Sequence, residues 1–123
     1  MSDFLQLGAR GEALAWNFLK KSGYSIVEKN YRTRFGEMDV IAEKEGAVIF
    51  IEIKTRRNHQ FGLPAEAVDW RKRQKMIRVA ESYLQQKKME NREARFDILS
   101  ITWDGTTEPH FEILDNAFSL EEK

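Results

Sequence analysis

The nineteen residues from Gly36 to Lys54, GEMDVIAEKEGAVIFIEIK, constrain the fold of this chain more than any other stretch. Apolar residues run unbroken through Val48, Ile49, Phe50 and Ile51, as in a strand buried on both faces. The same stretch carries Glu37, Asp39, Glu52 and Lys54, charges that burial excludes unless something balances them. Glu45-Gly46 supplies turn chemistry between two strand-like runs, so the stretch reads as an antiparallel hairpin. A two-residue turn sets Lys44 opposite Ala47, which puts Asp39 opposite Glu52 and Glu37 opposite Lys54. A three-residue turn would send Asp39 and Glu52 to different faces. Because side chains alternate, Glu52 and Lys54 share a face with Val48 and Phe50. That face is apolar along most of its length and charged at one end.

Two carboxylates facing each other repel, and they stay ionised only with a cation between or beside them. An oxygen-rich site of this kind suits Mg²⁺ or Mn²⁺ rather than zinc. Lys54, next along the face, is placed to neutralise developing negative charge or to orient a water. These are the parts of metal-assisted phosphodiester hydrolysis. The plainer alternative is a cross-strand ion pair of Glu37 with Lys54 on a solvated face. Glu12 poses the same problem on a helix. It falls three residues after Ala9 and four before Trp16, on the stripe that should meet the sheet.

The rest of the chain frames this hairpin. A helix runs to Ser22-Gly23, opened by Ser2 or Asp3, with Leu5, Ala9, Ala13, Trp16 and Leu19 as its apolar stripe. Residues 24–32 read as a first strand, before the hairpin. After a loop punctuated by Gly62 and Pro64, Asp69 caps a second helix whose stripe is Met76, Ile77, Ala80, Tyr83 and Leu84. Two strands follow, RFDILSITW and HFEILD, with a turn opened by Trp103-Asp104-Gly105. The pattern predicts a single α/β domain over residues 1–123, a mixed sheet flanked by helices. No cysteine is present, so neither disulfides nor a thiolate zinc site can form. No apolar run nears the roughly 20 residues of a membrane span, and the N-terminus lacks the order of a secretory signal, so the expectation is a cytoplasmic chain without a membrane partner.

Asp39, twelve intervening residues and then Glu52-Ile53-Lys54 resemble the signature of the PD-(D/E)xK nuclease superfamily. Glu12, within GARGEALAWNFL, is similar to the helical glutamate of archaeal-type Holliday-junction resolvases in that group. From Gly8 to about Trp103 the chain resembles the YraN family of small bacterial proteins. Its marks here are GxxGExxA, NYR, GEMDVIA, VIFIEIKTR and FG. The resemblance implies a restriction-endonuclease-like αβββαβ core, with Asp39 and Glu52 as metal ligands, Glu12 as an accessory ligand and Lys54 as the catalytic lysine. It implies a metal-dependent endonuclease acting on DNA rather than RNA, with branched or structured DNA among the substrates. Met38 stands where the superfamily's name has proline. A resolvase cuts two strands and so implies a homodimer, for which an exposed strand or the C-terminal DNAFSL are the candidate surfaces. A catalytically silent binding or interaction module with the same fold is the alternative.

Net charge is zero, but its distribution is uneven. Residues 54–88 carry 10 Lys/Arg against 3 Asp/Glu, whereas residues 89–123 carry 3 against 9. Such segregation predicts one basic face. Arg32 and Arg34 before the hairpin, Arg56 and Arg57 after it, and Lys72 and Lys75 on the second helix are the candidates to track phosphates. Lys72 and Lys75 are three apart and so share a side of that helix. His59, His110 and the three tryptophans are read as loop, core or rim residues, and no motif for reading bases is evident.

Overall fold

The computed structural model describes residues 3–57, 68–104 and 108–121. Ser2, His59, Gly62, Pro64 and Gly105 lie outside them, as do the side chains of Leu5 and Ala9. Chain order is α1 (Asp3–Lys21), β1 (Ser25–Thr33), β2 (Gly36–Lys44), β3 (Ala47–Arg56), α2 (Trp70–Gln86), β4 (Ala94–Thr102) and β5 (His110–Phe118). This is the expected αβββαβ order with one strand added. The strands lie in sequence order in one sheet, with β3 and β4 parallel and the other neighbours antiparallel. Helix α2 makes the crossover that a parallel pair requires.

The two helices cover opposite faces. On one, Ala15 and Leu19 of α1 pack with Val40, Ile49, Ile51 and Leu99. On the other, Met76, Ile77, Ala80 and Tyr83 of α2 pack with Ile41, Phe50 and Phe96. Strand β3 sits between β2 and β4 under both helices, which is why its apolar run is continuous: Ala47 to Glu52 are all buried. Helix α2 begins as its sequence predicts, with Asp69 Oδ1 accepting from the Lys72 N–H at 2.9 Å.

Helix α1 departs from the expected stripe. Its deepest positions are Gly11, Ala15 and Leu19, while Ala13 is exposed and Trp16 half-buried. A Cβ on Gly11 would lie 2.8 Å from Thr55 Oγ1 on β3, so glycine there permits the contact. A reading by hydrophobicity passes over such a position. The C-terminal segment departs too: Phe118 is buried and stacks on Phe96 with ring centroids 4.3 Å apart, so it closes the chain's own core. Phe118 is therefore withdrawn from the surfaces considered for a dimer.

Candidate active site

Glu45 and Gly46 both have positive φ, 52° and 84°, the two-residue turn whose twist suits a hairpin. The register is the one that turn predicts, from Lys44–Ala47 to Val40–Ile51. The next step would pair Asp39 with Glu52, and there the ladder ends. Strand β2 rotates at this point. Met38 packs on the α2 side and Val40 on the α1 side, although residues two apart ordinarily share a face. On the neighbouring strand Asn30 lies in the left-handed region (φ 51°), and the β1–β2 ladder passes from Lys29–Val40 to Tyr31–Met38. Asparagine tolerates that conformation better than most residues. The rotation turns the Asp39 side chain towards β3, where Oδ2 accepts the Ile53 N–H at 2.8 Å. A carboxylate thus takes up the backbone donor that the departing strand leaves behind.

Glu52 is 8% exposed, and its Oε1 lies 2.6 Å from Lys72 Nζ, which reaches down from the first turn of α2. Burial pushes the Asp39 carboxyl up to about 7, and the charge of Glu52 adds to the rise. The Ile53 N–H and the Lys72 ammonium pull the other way. Asp39 therefore holds its proton to a much higher pH than an exposed aspartate does. Lys54 is half-buried and follows Glu52 by one alternation along β3.

Other expected partners fall elsewhere. Glu12 is half-buried on α1, beside the Gly11–Thr55 contact, whereas Glu52 meets α2 on the opposite side of the sheet. Among the described residues no three His, Asp or Glu side chains converge closely enough to hold a metal ion. Asp39 and Glu52 are brought together; Glu12 does not join them in one cluster. Glu37 pairs across β1 with Arg32 at 3.6 Å, not with Lys54, because β2 has already parted from β3. Of the phosphate-tracking set, Arg56 is only 9% exposed. Arg34, Arg57 and Lys75 are exposed, as is Arg32. Lys75 and Lys72 line one groove of about 380 Å³ with Arg71 and Glu37, though the Lys72 ammonium is turned into the carboxyl pair. Trp70, at the start of α2, stands 63% exposed beside this groove's residues.

A family model described as "Uncharacterised protein family UPF0102" matches residues 11–101. The chain belongs to the UPF0102 family. This is the family the sequence resembles under the YraN name, and the matched span contains Glu12, Asp39, Glu52, Lys54 and Lys72. A UPF0102 protein of Dictyoglomus thermophilum is 45% identical over 114 residues, covering 92% of this chain and 97% of the relative. One from Alkaliphilus metalliredigens is 41% identical over 112 residues, covering 91% and 96%. Among solved structures, Pyrococcus furiosus SfsA in complex with Ca²⁺ aligns with a TM-score of 0.40 and 14% identity. That alignment covers 88% of this UPF0102 chain and 62% of the SfsA chain.

One feature of the fold escaped the sequence reading. Asp97, fully buried on β4, accepts from Tyr24 Oη at 2.7 Å, Arg95 Nε at 3.0 Å and the Asn116 N–H at 2.9 Å. It ties the end of α1 to β4 and β5, where the β4–β5 register shifts. The signal was an aspartate set between Phe96 and Ile98 in an apolar strand.

Proposed function

We propose that this UPF0102 protein is a metal-dependent nuclease that hydrolyses phosphodiester bonds, with DNA as the preferred class of substrate. The observation that carries this reading is the Asp39–Glu52 pair, two half-buried or buried carboxyls held side by side at the point where β2 leaves β3. The donor set is all oxygen, and a hard divalent cation such as Mg²⁺ or Mn²⁺ fits it, because such a cation would offset the burial and, after it, the Glu52 charge that raise the Asp39 pKa. Bound there, the cation supplies Lewis-acid polarisation of the phosphate and activation of water.

The protein's own groups do the rest. The Ile53 N–H fixes the Asp39 carboxylate in one orientation. Lys54, on the same face of β3 as Glu52, neutralises charge that develops on the phosphate. Lys72 holds Glu52 in position and, were a metal bound by the carboxyls, would be free to meet the substrate's phosphates. Arg32, Arg34, Arg57 and Lys75 hold the backbone on either side.

A second reading, a nuclease-like module that binds without cutting, is favoured by one observation. Lys72 already balances Glu52 at 2.6 Å, so the pair is tolerable without metal. Incubating the protein with linear, single-stranded, flapped and four-way DNA, in Mn²⁺ and in EDTA, separates the two. Cutting that requires Mn²⁺ and is lost in Glu52→Ala and Lys54→Ala supports the nuclease. Binding without cutting on every substrate supports the module, and neither activity removes both.

A further inference from the structure

We infer that one stripe of helix α2, together with the tip of the β1–β2 hairpin, is a track for a nucleic-acid backbone leading away from the carboxyl pair. Arg71, Lys75, Arg78, Ser82 and Gln85 recur at spacings of four, three, four and three, so they line one side of the helix. Arg71, Lys75, Arg78 and Gln85 are exposed and Ser82 is half-buried. Every one of the five can donate hydrogen bonds, and three are cations.

The stripe borders two grooves in succession. Arg71 and Lys75 line the one that also contains Lys72, the residue in contact with Glu52. Arg78, Ser82 and Gln85 line a larger groove of about 710 Å³, whose opposite wall is the hairpin tip with Arg32 and Arg34. The hairpin is fixed against the helix there. Tyr31 Oη donates to Gln86 Oε1 at 2.9 Å, and the Tyr31 and Tyr83 rings meet edge to face at 5.3 Å. Three arginines converge on this groove. Glu81, the one acid among its lining residues, already has an interaction partner of its own.

From Arg71 to Gln85 the helix rises about 21 Å. At about 3.4 Å of axis per phosphate, that matches roughly six consecutive phosphates of one strand. The Tyr31 ring is engaged edge to face with Tyr83 and its hydroxyl with Gln86, and three arginines dominate the polar lining, so the phosphodiester backbone is the ligand the groove fits. The inference rests on the proposed nucleic-acid partner, but not on cutting.

The test is equilibrium binding in EDTA, where no cutting occurs, read by anisotropy of labelled DNA and RNA oligonucleotides of about 6 and about 20 nucleotides. Arg78→Gln should weaken binding of the longer DNA or RNA about 3- to 10-fold and reduce the salt slope by about one. Gln85→Glu should weaken it further, and Lys20→Gln, exposed on α1 away from the grooves, should not change it. Circular-dichroism melts confirm that the exposed-site variants fold. Unchanged affinity and slope in Arg78→Gln would overturn the track, as would a mononucleotide competing as well as the longer strand. Metal-dependent cutting by a protein whose binding ignores Arg78 would leave the nuclease standing and remove only the track. Weakened binding without any cutting would do the reverse.

Discussion

The ammonium of Lys72 stands 2.6 Å from Oε1 of Glu52, linking the first turn of α2 to the strand that carries both Glu52 and Lys54. Glu52 is nearly enclosed and Asp39 lies beside it, so this cation is what lets the pair persist without metal. Lys72→Met should lower stability by about 1–2 kcal/mol in EDTA, between the values for exposed and fully buried pairs. Added Mn²⁺ should raise the melting temperature of the variant more than that of the wild type. Equal stability in EDTA and equal responses to Mn²⁺ would show that Lys72 is not the counter-ion.

Asp39 gives a pH dependence of definite sign. Its carboxyl sits at about 7 in the folded protein against 3.8 ordinarily, so the unfolded chain releases its proton first as pH rises. Stability from this group is complete only below about pH 4, declines up to about pH 7 and is level above. Asparagine keeps an oxygen for the Ile53 N–H and adds no charge. Asp39→Asn should therefore gain on the wild type between pH 4 and 7, by about 3 kcal/mol at the upper end. Urea melts at both pH values check it; a difference independent of pH would contradict the raised pKa.

Gly11 marks how α1 is seated. Helix propensity alone would favour alanine there by about 1 kcal/mol. A Cβ at that position meets Thr55 Oγ1 at 2.8 Å and Cγ2 at 3.1 Å, so Gly11→Ala should instead destabilise by about 1–2 kcal/mol. Thr55→Ala in the same chain should recover most of the loss, a coupling that a double-mutant cycle measures. A stabilised Gly11→Ala protein would mean that the helix is not held by this contact.

The hairpin, its register and the α2 stripe were legible because each rests on a local rule: turn chemistry, alternation or helical period. Asp39 and Glu52 could be brought together from numbering alone once Glu45-Gly46 was read as the turn. What could not be read was the rotation of β2 at Asp39, since it depends on Asn30 in a neighbouring strand. Lys72 likewise looked like one more cation on a basic helix, because its contact with Glu52 depends on how α2 lies across the sheet. Arg56 reads as a phosphate-tracking cation beside Arg57, yet it is only 9% exposed at the end of β3, where it pairs with Thr102 of β4.

The buried Asp97 network predicts a graded loss. Tyr24→Phe removes one of its donors and should cost about 1–2 kcal/mol. Asp97→Ala leaves Tyr24, Arg95 and the Asn116 N–H without their shared acceptor and should cost about 3 kcal/mol or more. Urea denaturation ranks the two; equal costs would mean that Tyr24 alone carries the network.

The central claim is that Asp39 and Glu52 form a divalent-cation site. Calorimetric titration of Mn²⁺ at about pH 8, above the Asp39 pKa of about 7, tests it most directly. The account predicts one Mn²⁺ per chain for the wild type, with affinity at least about tenfold weaker in both Asp39→Asn and Glu52→Gln. It also predicts weakening by up to about tenfold per unit as pH falls below 7. A wild-type protein that takes up no Mn²⁺, or variants that bind it as well as the wild type, would contradict the claim.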